Sequence, residues 1–161
     1  LKNGKIGAIV CPFFVNDSSL ISGVNDVYNA ISVTGDSIGD VLLYGQGAGK
    51  EATASAVVGD VMECARLRKN EKHYRWDNHE EGTVEDHMLY ETALYIRGYA
   101  KNASESLINI RESFGGVDVL SREAAPENEI AFITKKATEK ELREVLSELR
   151  DFAPASIIRI L

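Results

Sequence analysis

Apolar positions in the last part of the chain switch between two periods, and the switches predict its elements. Leu89 to Ala100, rich in Leu, Tyr, Ile and Thr, reads as a strand. Leu107, Ile110 and Phe114 then recur at helical spacing behind Ser104 as a cap, and Gly115 with Gly116 supplies a stop. Val117 to Ser121 and Ile130 to Thr134 are β-branched runs whose connection holds Pro126, Glu127 and Asn128, residues that suit a hairpin. Thr138 and Glu141 have the spacing of a capping box ahead of Leu142, Val145, Leu146, Leu149 and Phe152 on one helix face. Pro154 is expected to end that helix, and Ile157, Ile158, Ile160 and Leu161 to form a last short strand. The order is βαββαβ, which lays two helices on one face of a four-stranded sheet in the ferredoxin-like split arrangement. A sheet of this size leaves an open face and edges, so pairing as a homodimer or higher homo-oligomer is expected.

The opening stretch has a different texture. Residues 1–66 are rich in Gly, Ala, Val and Ser and low in charge. Val41 to Tyr44 reads as a strand, and a helix is expected to begin near Thr53. Val57, Val58, Val61, Cys64 and Ala65 form a stripe on that helix, expected to pack into a core with Cys64 as a small hydrophobe. Arg66 to Asp86 is dense in charged residues and His without an apolar period, the composition of an exposed connection. The expected division is therefore 1–66, a connection over 67–88, and 89–161, with an α+β fold throughout.

Composition narrows the function classes. The 161 residues are 44% hydrophobic and 27% charged, a globular balance with room for a sizeable core. A net charge of -7, from 18 Lys and Arg against 25 Asp and Glu, argues against nucleic acid or an anionic membrane surface as partner. Cys11 and Cys64 are too few for a disulfide framework, which fits a reducing cytoplasm. The apolar run Ala8 to Val15 is broken by Pro12 and falls far short of the roughly 20 residues of a membrane span. No secretory signal pattern opens the chain, and a first residue of Leu1 hints at an excised piece of a longer protein.

Candidate chemistry is sparse. His73, His79 and His87 lie among acidic residues but match no zinc spacing, so no metal site is expected. Tyr74 and Trp76 in the same stretch are read as anchors for the connection. Cys11 has no His nearby in sequence and no GxSxG elbow occurs, so no nucleophile is assigned.

The informative segment is Gly45-Gln46-Gly47-Ala48-Gly49, between the expected strand and helix. Glycines let backbone approach a ligand, and free N–H groups at a helix start can face its polar atoms. The same residues also suit a tight strand-to-helix turn with no ligand. A Walker A loop would need Gly and Ser or Thr where Tyr44 and Glu51 stand, and GxGxxG would need Gly at Lys50. Independent nucleotide binding is not supported.

Four motifs in order carry a resemblance: Val24-Asn25-Asp26-Val27-Tyr28-Asn29-Ala30, Gly35-Asp36-Ser37-Ile38-Gly39, Tyr44-Gly45-Gln46-Gly47-Ala48-Gly49, and Thr53-Ala54-Ser55-Ala56-Val57-Val58-Gly59-Asp60. Together they resemble the C-terminal end of homoserine dehydrogenase catalytic domains, over roughly residues 5–66. The following βαββαβ unit resembles the ACT regulatory domain that many members of that family carry. The resemblance implies a parent oxidoreductase that reduces aspartate 4-semialdehyde to homoserine with NADPH or NADH, on the route to threonine, isoleucine and methionine. It implies that an N-terminal Rossmann domain and the catalytic lysine and acidic residues lie upstream, so no catalytic residue is assigned here and the chain alone is expected to be inactive. It implies that Gly49, flanked by Gly47 and Ala48, approaches the nicotinamide cofactor.

Two departures accompany the resemblance. Ser19-Leu20-Ile21-Ser22 replaces the family's His-Pro-Leu-Ala run. Asn102-Ala103-Ser104-Glu105 replaces the Asp-x-Pro-Gly turn common in amino-acid-binding ACT domains, which removes a glycine but leaves Asn102, Ala103 and Ser104 as the place for an amino-acid effector. A second reading is a freestanding ACT-type amino-acid sensor or dimerisation module.

Overall fold

The computed structural model describes residues 5–66 and 84–161. In chain order the elements are β1 (Phe13–Phe14), β2 (Tyr28–Gly35), β3 (Gly39–Gln46), α1 (Lys50–Arg66), β4 (Glu91–Ala100), α2 (Ala103–Ser113), β5 (Val117–Leu120), β6 (Glu129–Thr134), β7 (Ala137–Thr138), α3 (Glu139–Glu148) and β8 (Phe152–Ile160). Contacts divide the α+β chain into two compact units, one of Leu1–Phe14 with His79–Leu161 and one of Val15–Asn78. Among the described residues no helix is long and apolar enough to cross a membrane.

The first unit holds a sheet in the order β1-β8-β4-β6-β5, with β7 paired to one end of β4. Its long strands β4, β5, β6 and β8 alternate with α2 and α3 as β-α-β-β-α-β, and they lie fourth, first, third, second across the sheet, all antiparallel. Period-two alternation decides which face is dry. Leu94 and Ile96 of β4 and Ile130 and Phe132 of β6 point to the helices, while Tyr95, Arg97 and Ala131 point the other way. Ile110 of α2 and Leu142 and Leu146 of α3 close the core over Phe132. That ring meets Phe114 at 5.6 Å and Phe152 at 5.8 Å between centroids. Each such fully buried side chain contributes roughly 1.5–3 kcal/mol.

Several boundaries differ from the sequence expectation. The cap of α2 is Asn102, whose side chain accepts from Glu105 N–H, and not Ser104. The Thr138–Glu141 capping box of α3 is present, but the helix ends at Glu148, and Pro154 lies within β8. There Gly98 pairs with Pro154 and Arg97 with Ser156, a register shift that leaves Ala155 over, and a bulge is where a strand tolerates proline. β1 is an addition. It runs parallel to the end of β8, with Phe13 opposite Arg159 and Phe14 opposite Ile160, and the Phe14 ring meets Tyr95 edge-on at 5.0 Å.

In the second unit β2 and β3 form a hairpin from Tyr28 opposite Gln46 to Gly35 opposite Gly39. Ile31 faces Leu43 and Val33 faces Val41 on one side, a cross-strand ladder of apolar pairs. α1 begins at Lys50, three residues before Thr53. The helix stripe overturns an expectation: α1 buries no residue, Val57, Val58 and Val61 are more than half exposed, and Cys64 is exposed. The hairpin and the helix leave their apolar residues uncovered.

Candidate functional site

The glycine turn joins β3 to α1, and its glycines have different surroundings. Gly47 N–H donates to Val27 O at 3.1 Å, tying the turn to the residue ahead of β2. A Cβ at Gly47 would overlap the carboxamide of Asn29, the end of an exposed side chain. Gly49 has open space around it but φ of +121°, a conformation that L side chains rarely adopt. Its carbonyl accepts from Thr53 N–H at 3.0 Å and closes the first turn of α1. Gly47, Ala48 and Gly49 are all exposed, and the first N–H groups of α1 beyond them lack an intrahelical acceptor. Next to the turn, Tyr28 and Tyr44 stack at 4.9 Å, and Gln46 Nε2 donates to Tyr28 Oη at 3.3 Å. A bare backbone followed by free N–H groups can receive a flat, polar ligand edge.

Asn102, Ala103 and Ser104, the residues expected to hold an effector, lie at the start of α2. Asn102 Oδ1 accepts from Glu105 N–H at 3.3 Å, and Asn102 Nδ2 donates to Glu105 Oε2 at 3.2 Å. The side chain that was left for a ligand is thus engaged in capping α2. Ala103 packs against the core and Ser104 is exposed.

Two carboxylates form ion clusters that sequence reading passed over. Glu139, 1% exposed, accepts from Arg159 through Nε and Nη2 and from Arg143 through Nε, each at 2.7 Å. Burial pushes its pKa up, but the hydrogen bonds of Arg159 and then Arg143 outweigh it and hold the carboxyl below the usual range. On the open sheet face Glu129 accepts from Arg122 at 2.8 and 3.1 Å and from Arg97 at 3.1 Å, and Arg122 leads in lowering its pKa. The i,i+4 spacing of Glu139 and Arg143 was visible in sequence; their meeting with Arg159 was not.

His87 Nδ1 lies 3.4 Å from Asp86 Oδ1, whereas His73, His79, Tyr74 and Trp76 lie outside the described residues. Among the described residues no group of three or more His, Cys, Asp or Glu is placed to hold a metal ion.

The family model for homoserine dehydrogenase matches residues 3–62, a stretch that contains the hairpin and the whole glycine turn. A homoserine dehydrogenase of Helicobacter pylori is 32% identical over 149 residues, covering 88% of this chain and 35% of the relative. The chain belongs to the homoserine dehydrogenase family. A second homoserine dehydrogenase, of Pseudomonas aeruginosa, is 28% identical and covers 94% of this chain and 39% of its own length. The crystal structure of a homoserine dehydrogenase from Thiobacillus denitrificans superposes with a TM-score of 0.79 at 26% identity, covering 99% of this chain and 40% of that one. That of S. aureus homoserine dehydrogenase, at 20% identity and a TM-score of 0.63, shares the fold over 91% of this chain and 36% of its own. The chain thus spans between a third and two fifths of the length of these homoserine dehydrogenases.

Proposed function

We propose that this chain is the C-terminal portion of an NAD(P)-dependent homoserine dehydrogenase that interconverts aspartate 4-semialdehyde and homoserine in the cytoplasm. The observation that carries the reading is the family match over 3–62, which has the glycine turn inside it. In this reading Gly47, Ala48 and Gly49 line the cofactor site: Gly49 lends a backbone with no side chain, and the first N–H groups of α1 lie just beyond. The nicotinamide supplies or takes the hydride when bound. The chain's own part is to shape one wall, while the acid and base groups belong to the region upstream.

Residues 1–66 are then the end of the catalytic and dimerising domain, 67–88 the connection, and 89–161 an ACT-like regulatory domain. The fourth-first-third-second strand order with two helices on one face supports that last assignment. The exposed apolar pairs of β2 and β3 and the uncovered stripe of α1 support a site completed by further chain or by a second copy in a homodimer. An amino-acid effector near Asn102, Ala103 and Ser104 belongs to the same reading, although Asn102 must first release Glu105.

The test compares this chain with the same chain preceded by its encoded upstream region. Homoserine-dependent reduction of NADP or NAD is expected only from the longer protein. Turnover by the 161 residues alone overturns the proposed division of labour, and a longer protein that folds without turnover overturns the activity itself.

A further inference from the structure

We propose that Tyr28 and Tyr44 are positioning residues for the nicotinamide cofactor, acting through the glycine turn whose entry they hold; this rests on the reading of Gly47, Ala48 and Gly49 as a cofactor wall. The two rings stack at 4.9 Å between centroids and within 3° of parallel. Tyr28 stands opposite Gln46 and Tyr44 opposite Ala30, so the stack runs diagonally across the hairpin end that bears the turn. Tyr28 is 38% and Tyr44 54% exposed, so no core within the chain accounts for the pair.

The turn needs holding at this end. Gly47 and Gly49 each bring wide backbone freedom to a three-residue connection. Among the described residues, the turn is bonded at its entry by Gly47 N–H to Val27 O and at its exit by Thr53 N–H to Gly49 O. The exit bond belongs to the start of α1, which buries no residue and so lends the turn no packed support. At the entry three ties converge. The Val27 carbonyl takes Gly47 N–H, the next residue Tyr28 accepts through Oη from Gln46 Nε2 at 3.3 Å, and the Tyr28 ring lies on Tyr44.

Fixing the entry acts on affinity and not on the chemical step. A loop that a ligand must order weakens binding by the cost of ordering it, and a loop already held spares that cost. An aromatic pair of this kind is worth roughly twofold to tenfold in an equilibrium constant. Neither tyrosine moves a proton in this scheme, because the acid and base groups belong to the region upstream.

The test uses the chain preceded by its encoded upstream region and reads binding of NADPH and NADH directly, by the change in their fluorescence, alongside steady-state kinetics. Tyr44→Ala is expected to raise the cofactor Kd and KM by about fivefold to tenfold with kcat within about twofold, whereas Tyr44→Phe keeps the stack and stays within about twofold of wild type throughout. Tyr28→Phe keeps the ring and removes only the bond to Gln46, and is expected to raise the Kd by about twofold to threefold. An unchanged Kd in Tyr44→Ala, a fall in kcat alone, or equal losses in Tyr44→Ala and Tyr44→Phe overturns the proposal. Should Tyr44→Ala fail to fold, an unchanged Kd in Tyr28→Phe overturns it. A wild-type protein that folds and binds neither cofactor overturns the cofactor reading itself, and this proposal with it.

Discussion

The carboxamide of Asn29 stands where a side chain at Gly47 would begin, because Asn29 pairs with Gly45 across the hairpin and the chain turns back over it. The two positions are therefore coupled. Asn29 is exposed and can rotate away, so Gly47→Ala is expected to lower stability by less than about 1 kcal/mol, the scale of an off-rotamer side chain. Its consequence is displacement of Asn29. In a double-mutant cycle, adding Gly47→Ala to Asn29→Ala is expected to change the unfolding free energy less than Gly47→Ala alone; additive effects would show that the overlap has no energetic meaning.

Gly98 presents the opposite case. A Cβ there would overlap the Ala153 carbonyl and lie 2.6 Å from Phe152 Cζ, and neither a strand backbone nor a buried ring can swing aside. Gly98→Ala is expected to cost about 2–3 kcal/mol by overpacking at the bulge. Urea unfolding of the variant measures it, and a loss under about 1 kcal/mol would mean that β8 shifts freely there.

How much of this was legible follows from the range of each interaction. The βαββαβ order was readable because its signals are local: alternation in β6, the capping box of Thr138 and Glu141, and the i,i+4 pair of Leu142 and Leu146. The turn of Gly47, Ala48 and Gly49 was readable as a place, but the neighbour that a Cβ at Gly47 would meet is set by hairpin register. The core role given to Cys64 failed because an apolar stripe shows which face seeks cover and not whether the chain contains the cover. The capping role of Asn102 was hidden because it depends on where α2 starts, a boundary that Ser104 matched equally well by residue type. The pairing of β1 with β8 went unread, since two residues added in parallel beside a distant strand leave no periodic trace.

Glu139 makes the sharpest demand on the first unit. Glu139→Gln leaves Arg143 and Arg159 without a counter-charge and is expected to destabilise by about 3 kcal/mol. Replacing the whole cluster, with Glu139→Leu, Arg143→Met and Arg159→Met together, is expected to recover most of that loss, because apolar groups of similar size need no partners. Thermal unfolding of both variants decides between an ion cluster that stabilises outright and one that is costly only when broken.

Acid should reach the same carboxylate. Glu139 has a folded-state pKa below its unfolded value, near the ordinary glutamate figure of about 4.3, so its contribution is fully present above that pH and is lost as pH falls through the folded value. Glu129, held down chiefly by Arg122, and Glu141, held down chiefly by the Thr138 hydroxyl, act in the same direction. The wild-type chain should lose stability progressively as the pH falls below about 4.5, and Glu139→Gln should lose less over that range because one of its protonation steps is gone. Unfolding free energies measured from pH 7 to pH 3 check the sign: parallel curves for the two proteins would show that Glu139 does not titrate with folding.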